Sequence, residues 1–474
     1  MENNLKKIRL ANDISISELA NLCQVTESYI TKLEKGNCKI SQRMLKKLSR
    51  IFNSTEEDMM GYQKTMNLSG SDVTFTNNKK ESIHRWYPYI EGFSQGFVEA
   101  IIKEYDLDAL VYDPFNGSGT TTLTCAFNGY RSIGTEVNPL MRFVANTKVN
   151  VVRSIINNNK IDKFRIEIDN YVKETNKRLS SDIDYTIYIN SLYFTYDFFS
   201  EDNIKTIAKI KKYYSLIRDD DIRDLFKLSL VGILVECSNM IRSVDLRRRK
   251  GSELKRIPND MNSRYIDQLL KILNDIKSVK DISLIEMKLI GDNAKKRYVE
   301  YENKVDVIIT SPPYVNGTNY FRNTKLELWI LDFISDEKDL KELRTNAITA
   351  GINNVSKSID SHTELEFVEK YARALDDVAK DKRIPKLVRA YFSDINTTFI
   401  NFYRLLKDRG RVYFDIGDSQ YYGVHIPVDK LISKIAKSNG FLEISNEVIR
   451  NRKSKNGMLL SQRVIIFEKG MNTK

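Results

Sequence analysis

The stretch Asp306-Val-Ile-Ile-Thr-Ser-Pro-Pro-Tyr314 decides how the rest of this chain is interpreted. Residues 305–309 form a short apolar run rich in β-branched side chains, which is the pattern of a buried parallel strand. The run ends at two prolines, which remove two backbone donors and leave neighbouring carbonyls facing the space beyond the strand. Ser311 adds a hydroxyl and Tyr314 a flat aromatic face, so the turn can hold a planar ring that carries an amine. A proline-rich turn that only closes a core strand is the alternative for this stretch taken alone.

A second motif lies upstream, in Leu110-Val-Tyr-Asp-Pro-Phe-Asn-Gly-Ser-Gly-Thr-Thr-Thr122. A short apolar strand runs into a glycine-rich bend, and a helix is predicted over residues 121–128. Gly117 and Gly119 let the backbone turn tightly and approach a ligand without hindrance from a Cβ atom. Asp113 supplies a carboxylate for an ammonium group. A second predicted strand ends at Glu136, where doubly wound folds hold a ribose diol.

With DPFNGSGTT and TSPPY together, the chain resembles the amino-methylating DNA methyltransferases, which use S-adenosylmethionine. The resemblance covers most of residues 84–150 and 286–468. It implies an α/β fold with a Rossmann-like, doubly wound methyltransferase sheet and helical inserts. It also implies transfer of a methyl group to the exocyclic amine of a flipped base, with cytosine N4 slightly favoured over adenine N6 because position 311 is a serine.

The resemblance assigns residues to two roles. The implied catalytic residues are Ser311, Pro312, Pro313 and Tyr314. The implied cofactor-binding residues are Trp86, Tyr87, Asp113, Phe115, Gly117, Gly119, Glu136, Asp292 and Thr310. The two aromatic residues belong to segment 84–94, which looks like the family's extra motif before the first strand. An aromatic cluster of this kind otherwise packs in a core.

The first 62 residues carry helix signals at short intervals, and Ser15, Ser17 and Thr26 are predicted helix caps. Gly36 is predicted to end the third helix. The stretch SISELANLCQVTESYITKLEKGNCKIS resembles the Xre/Cro-type helix-turn-helix domains. The resemblance implies that a recognition helix faces the major groove, through Thr26, Glu27, Ser28, Tyr29, Thr31 and Lys32, with Asn37 and Lys39 near phosphates. A small helical bundle that serves only as a protein contact is the alternative.

The remaining chain is predicted to divide as follows: residues 63–82 as a linker, 83–150 as the cofactor-binding half, 151–285 as a mostly helical insert and candidate target-recognition region, 286–331 and 396–470 as the catalytic half, and 332–395 as a second helical insert. Helices are predicted over 204–217, 221–241 and 266–279, and a terminal hairpin over 442–449 and 461–468. A cation-rich loop at 242–256 includes Arg247, Arg248, Arg249 and Lys250, which are candidate phosphate contacts. A solvated charged loop is the alternative.

Composition limits the function classes. The formal net charge of +12 favours a polyanionic partner, here double-stranded DNA. The four cysteines are scattered, so neither a disulfide framework nor a metal site is expected. The polar start and the lack of a long apolar run predict a cytoplasmic, nucleoid-associated bacterial protein without a membrane partner. A cognate restriction endonuclease or another defence protein is a candidate partner, and the oligomeric state stays open. The alternatives are an inactive methyltransferase-like transcription regulator and an RNA or protein amino-methyltransferase.

Overall fold

The computed structural model describes residues 5–12, 14–35, 37, 38, 40–52, 69–89, 92–176, 198–242, 246–315, 320–355, 363–453, 457 and 459–470. Its contacts divide the chain into two units, residues 1–67 and residues 68–474. Gly36 and Lys39, for which a helix end and a phosphate contact are predicted, lie outside the described residues.

Over its described residues, the N-terminal unit forms four short helices: α1 (Leu5–Ala11), α2 (Ile16–Cys23), α3 (Glu27–Glu34) and α4 (Gln42–Phe52). Leu19, Ile30 and Leu48 are fully buried between them. The Ser15 side chain accepts a hydrogen bond from the Glu18 backbone, and the Glu18 carboxylate accepts one from the Ser15 backbone, so Ser15 caps α2. Thr26 caps α3 as predicted. The predicted cap at Ser17 is wrong, because that residue lies inside α2.

The larger unit is built on a seven-stranded sheet. Its strands are β1 (Leu110–Asp113), β2 (Arg131–Thr135), β3 (Met287–Gly291), β4 (Val305–Thr310), β5 (Leu406–Gly417), β6 (Phe441–Lys453) and β7 (Leu459–Lys469), in the order β6-β7-β5-β4-β1-β2-β3. The strands from β5 to β3 in this order are parallel, and β7 is antiparallel to both of its neighbours. The predicted α/β fold with a mostly parallel sheet and a terminal hairpin is confirmed.

Helices surround this sheet. They are α5 (Gln95–Ile102), α6 (Thr120–Phe127), α7 (Pro139–Asn146), α8 (Val152–Asn157), α9 (Ile161–Asn176), α10 (Glu201–Leu216), α11 (Asp220–Leu234), α12 (Met261–Ser278), α13 (Tyr320–Asn323), α14 (Lys325–Ile330), α15 (Glu337–Asn346), α16 (Glu366–Val378), α17 (Arg383–Leu405) and α18 (Val428–Ser438). The described residues of this unit form a hydrophobic core centred on the helices of residues 151–285 and another centred on the sheet with α16, α17 and α18. Within the described ranges, no helix has both the length and the apolar character needed to cross a membrane.

Two parts of the larger unit differ from the sequence expectation. The helix predicted over 221–241 ends at Leu234, and a short antiparallel hairpin follows, Met240–Arg242 with Leu246–Arg248. Residues 69–82, predicted as part of a linker, instead form turns and short 3₁₀ segments within the larger unit. Asn78 is fully buried there, and its side chain bonds to the backbone of Phe93 and of Gln95. The mostly polar composition hid this packing, because Val73 and Phe75 are buried there without apolar periodicity and the third buried side chain is the amide of Asn78.

Candidate active site

A cavity of about 400 Å³ opens at the carboxyl ends of β1, β2, β3 and β4. In open α/β sheets this edge is where ligands bind, because the loops that leave neighbouring strands converge there. The predicted residues that line it are Tyr87, Asp113, Phe115, Gly117, Glu136, Asp292, Ser311, Pro313 and Tyr314. The two sequence motifs therefore share one cavity.

One hydrogen bond joins the two motifs directly. The Thr310 hydroxyl at the end of β4 donates to Asp113 Oδ1 at the end of β1, at 3.0 Å. The same carboxylate accepts from the Thr121 hydroxyl at 2.6 Å and from the Phe115 backbone at 3.0 Å. Burial raises the pKa of Asp113 to about 6, and these three bonds oppose the rise. Thr310 thus stands behind the cavity wall and orients Asp113.

The glycine-rich loop is held from the end of β2. Gly117 has φ +48° and donates its N–H to Glu136 Oε2 at 2.8 Å, while Glu136 Oε1 accepts from the Asn138 backbone at 2.8 Å. Burial raises the pKa of Glu136 to about 7. Gly119 has φ +85° and packs against Ala145, where an added Cβ would lie 2.9 Å from the alanine Cβ. Gly119 therefore serves helix packing beside the cavity.

The Ser-Pro-Pro-Tyr turn is supported by two residues that the sequence analysis did not single out. The Tyr314 hydroxyl donates to Asp415 Oδ2 at 3.0 Å, and Gln462 Nε2 lies 3.0 Å from the same hydroxyl. Asp415 is 1% exposed, and burial raises its pKa to about 6 against hydrogen bonds from Gln462, Tyr314 and Ser311. A carboxylate in an otherwise apolar, buried strand was the available signal, since such residues are rarely buried without a partner or a role. Pro312 is buried behind the turn.

The aromatic segment before β1 splits between cavity and core. Tyr87 lines the cavity. Its hydroxyl donates to Glu327 Oε1 at 3.2 Å and accepts from Arg242 Nη2 at 2.9 Å, and Glu327 and Arg242 also form an ion pair with each other. Trp86 is fully buried and donates its indole N–H to Asp275 Oδ2 at 2.9 Å. The expectation that Trp86 contacts a cofactor is wrong in this structure, because its ring packs in the core next to α12.

The predicted DNA-binding residues lie in two places. In the N-terminal unit Thr26, Ser28 and Lys32 are exposed, while Tyr29 is half-buried against the helical core. In the larger unit Arg247, Arg248 and Lys250 are exposed, and Arg247 pairs with Glu253 at 2.8 Å.

Arg249 differs from the other three predicted cations of this loop. Its guanidinium donates to the backbone carbonyls of Val235, Glu236, Ser238, Met240 and Glu253. That side chain fixes the hairpin to the end of α11 and is already engaged. We therefore assign Arg249 a structural role and correct the expectation that it contacts phosphate.

Comparison with known proteins bears on both units. Residues 5–59 match a family model described as Helix-turn-helix, which confirms that expectation. The chain is 29% identical over 438 residues to Type II methyltransferase M.BsoBI of Geobacillus stearothermophilus, covering 80% of this chain and 83% of the relative. The chain is similar to Type II methyltransferases along most of its length. M.AvaI of Anabaena variabilis is 26% identical over 455 residues, with 89% of each chain covered, and M.MvaI of Kocuria varians is 21% identical over 429 residues, with 84% and 87% covered.

Among solved structures, a SAM-dependent methyltransferase of Methanosarcina mazei aligns with 78% of this chain and 97% of its own, at 8% identity and a TM-score of 0.28. That likeness carries no argument about this site.

Proposed function

We propose that this chain is a site-specific DNA methyltransferase that methylates the exocyclic amine of a flipped base, cytosine N4 ahead of adenine N6. The observation that carries the proposal is the Thr310–Asp113 hydrogen bond, which brings the Ser-Pro-Pro-Tyr turn and the glycine-rich loop to one cavity. Similarity to Type II methyltransferases along most of the chain supports the reaction and the DNA substrate.

The cavity residues fit S-adenosylmethionine, which supplies the methyl group when bound. Asp113 offers a carboxylate for the cofactor's ammonium group, and Glu136 offers one for its ribose hydroxyls. An added Cβ at Gly117 would lie 2.9 Å from the Tyr89 hydroxyl, so the loop needs a glycine to leave its cradle open. Asn116 Nδ2 and the Ser118 hydroxyl belong to residues that line this cradle, and neither atom has a hydrogen-bond partner among the described residues. Asp292, which also lines the cavity, pairs with Lys296 at 2.8 Å and can receive the adenine amine.

The turn residues act on an amine that is a weak nucleophile because its lone pair is delocalised into the base. Extraction of the base from the stack costs a few kcal/mol, and stacking on Tyr314 returns about 1–3 kcal/mol. The Ser311 side chain and the Pro312 carbonyl accept hydrogen bonds from the amine and favour a tetrahedral nitrogen. Because Ser311 hydrogen-bonds to Asp415, the amine proton can pass through the serine hydroxyl to that buried carboxylate. The serine at 311 is the reason for placing cytosine N4 first.

The region over 151–285 is proposed to recognise the target sequence. Its hairpin exposes Arg247 and Arg248, and Arg242 from the same hairpin lines the cavity. Cations beside the cavity can hold the phosphates of the duplex whose base is extracted. The helix-turn-helix unit is proposed to bind DNA as an operator contact or a targeting aid. A role in restriction-modification or phage defence, with a cognate endonuclease, completes the proposal.

Long-read sequencing tests the proposal in one experiment. Expression of the chain in a methylation-free host is expected to mark one short sequence, and the signal identifies the modified atom. Tyr314→Ala is expected to abolish the mark because the stacking face is lost, while calorimetry shows cofactor affinity within about threefold of wild type. Tyr314→Phe, the matched comparison, keeps the ring but loses the hydroxyl that Asp415 and Gln462 hold, and it is expected to retain the mark at a reduced level. Unmarked DNA from a wild-type protein that binds the cofactor would contradict the proposed activity, and a marked Tyr314→Ala sample would contradict the role of Tyr314.

A further inference from the structure

Gln462 on β7 joins three separate parts of the cavity wall through one amide nitrogen. Its Nε2 lies 2.9 and 3.1 Å from the two oxygens of Asp415, 3.0 Å from the Tyr314 hydroxyl and 3.1 Å from the carbonyl of Val73. All three partners are far from Gln462 in the chain, and Asp415 lies next to it because their strands are neighbours in the sheet. Gln462 itself lines the cavity.

The orientation of this amide is fixed by its surroundings. A carboxylate and a backbone carbonyl only accept hydrogen bonds, so the amide must present its NH₂ group and not its oxygen. Its two N–H groups are shared among the Asp415 carboxylate, the Val73 carbonyl and the Tyr314 hydroxyl, while Tyr314 donates its own proton to Asp415. Asp415 and Gln462 therefore both fix the Tyr314 hydroxyl. Gln462 and Tyr314 in turn both fix the Asp415 carboxylate.

Val73 belongs to a segment that is itself anchored to the cofactor side of the cavity. The Asp72 carbonyl accepts from the Ser94 backbone at 2.7 Å, and the Phe75 ring meets the Tyr89 ring edge to face at 5.9 Å between centroids. Val73 and Phe75 are both 3% exposed. The segment over residues 72–75 is thus a fixed wall, and Gln462 connects it to the turn that carries Tyr314.

We propose that Gln462 is a positioning residue for methyl transfer, which sets the Tyr314 ring and the Asp415 carboxylate relative to the wall at Val73. It acts through these two groups and not on the base itself. This inference rests on the proposed function, since the reaction it serves is the transfer to a base stacked on Tyr314. A misplacement of about 1 Å at such a site costs on the order of 10²-fold in rate.

The test compares full-length wild type with Gln462→Leu and with a control, Gln420→Leu. Gln420 lies on the short antiparallel hairpin that follows β5, formed by Ser419–Tyr421 and Val424–Ile426. Gln462→Leu is expected to lower kcat by roughly 10- to 100-fold. The KM for cofactor and the melting temperature are expected to stay close to wild type. Loss of the hydrogen bond from Gln462 also raises the pKa of Asp415. The fall of kcat at low pH, the acid limb of the pH–kcat profile, therefore moves to higher pH. The control keeps the wild-type rate and profile.

Two further variants separate positioning from general damage. Gln462→Glu places a second carboxylate against Asp415 and is expected to move the acid limb further up than Gln462→Leu does. In a double-mutant cycle, Gln462→Leu is expected to add little to the loss caused by Asp415→Asn, because both remove the same arrangement. Additive losses, or a lowered kcat with an unmoved limb, would overturn the inference.

A readout that needs no activity keeps this test independent of the proposed function. With 3-fluorotyrosine at position 314, the ¹⁹F resonance of the free protein is expected to shift in Gln462→Leu and to stay in place in Gln420→Leu. An unchanged resonance in Gln462→Leu counts against the positioning role even if wild type methylates DNA. Inactive wild type with the expected shift would instead contradict the proposed function and leave the positioning of Tyr314 supported.

Discussion

At the level of single residues, the carboxylate of Asp415 connects the geometry of the site to a measurable pH dependence. Burial raises its pKa to about 6, so the group is ionised above that pH and protonated below it. Only the ionised form can accept the amine proton through Ser311. We therefore expect kcat to be flat at high pH and to fall as pH decreases through about 6.

Measurement of kcat at saturating cofactor and DNA between pH 5 and 8.5 checks this prediction. Saturating cofactor matters because Asp113 and Glu136, with pKa values raised to about 6 and 7, face the cofactor side and titrate in the same range. Asp415→Asn is expected to lower kcat by about 10²- to 10⁴-fold and to remove the acid limb. If kcat of Asp415→Asn still falls at the same low pH, the group that titrates there is not Asp415.

Single residues also show how much of a site can be predicted from a sequence. Asp113, Gly117 and the Ser-Pro-Pro-Tyr turn belong to contiguous motifs, and each residue type there has a local physical reason. Asp415 and Gln462 belong to no motif, because their role depends on which strands become neighbours in the sheet. Trp86 is the reverse case. Its place next to a cofactor motif predicted a cofactor contact, whereas its indole N–H bonds to Asp275 on α12 in the core.

At the level of elements, the start of α6 depends on a glycine in a left-handed conformation. Gly119→Ala is expected to destabilise the larger unit by about 2–4 kcal/mol, from the cost of φ +85° in a residue with a side chain and from overlap with Ala145 at 2.9 Å. Gly251→Ala is the matched control, because Gly251 has φ +52° with nothing within 4 Å of an added Cβ. It is expected to lose only about 1–2 kcal/mol. Urea unfolding of both variants measures the difference, and equal losses would contradict the packing argument.

The end of α11 shows why element boundaries are harder to predict than elements. Apolar residues continue at helical spacing beyond Leu234, and the sequence contains neither glycine nor proline between Leu234 and Gly251. The last carbonyls of a helix need donors from outside it. Here Arg249 donates to the carbonyls of Val235 and Glu236, the two residues that follow the helix, from a position that only the folded hairpin brings back to the helix end. The helix was therefore predictable, whereas its end depends on a tertiary contact.

At the level of the whole molecule, the two units have separate cores, and this separation has a consequence for truncation. The boundary falls between residues 67 and 68, ahead of the segment with Val73 and Asn78 that packs beside the cavity. A chain beginning at residue 68 should keep the melting transition of the larger unit and its cofactor affinity. Its DNA affinity should fall and depend less steeply on salt, because phosphate contacts of the helix-turn-helix unit are lost.

A second truncation decides where the functional boundary lies. A chain beginning at residue 83, the end of the linker predicted from composition, lacks the Val73 carbonyl that accepts from Gln462 and the Asn78 side chain that bonds to Phe93 and Gln95. It is expected to melt at lower temperature and to bind cofactor at least tenfold more weakly, since the Gln462 amide, the Phe93 carbonyl and the Gln95 N–H each lose a partner and the wall at Val73 is gone. Calorimetry and thermal melting of both truncated chains make the comparison. Equal behaviour of the two would show that residues 68–82 are a linker after all, and unequal behaviour places them in the methyltransferase unit.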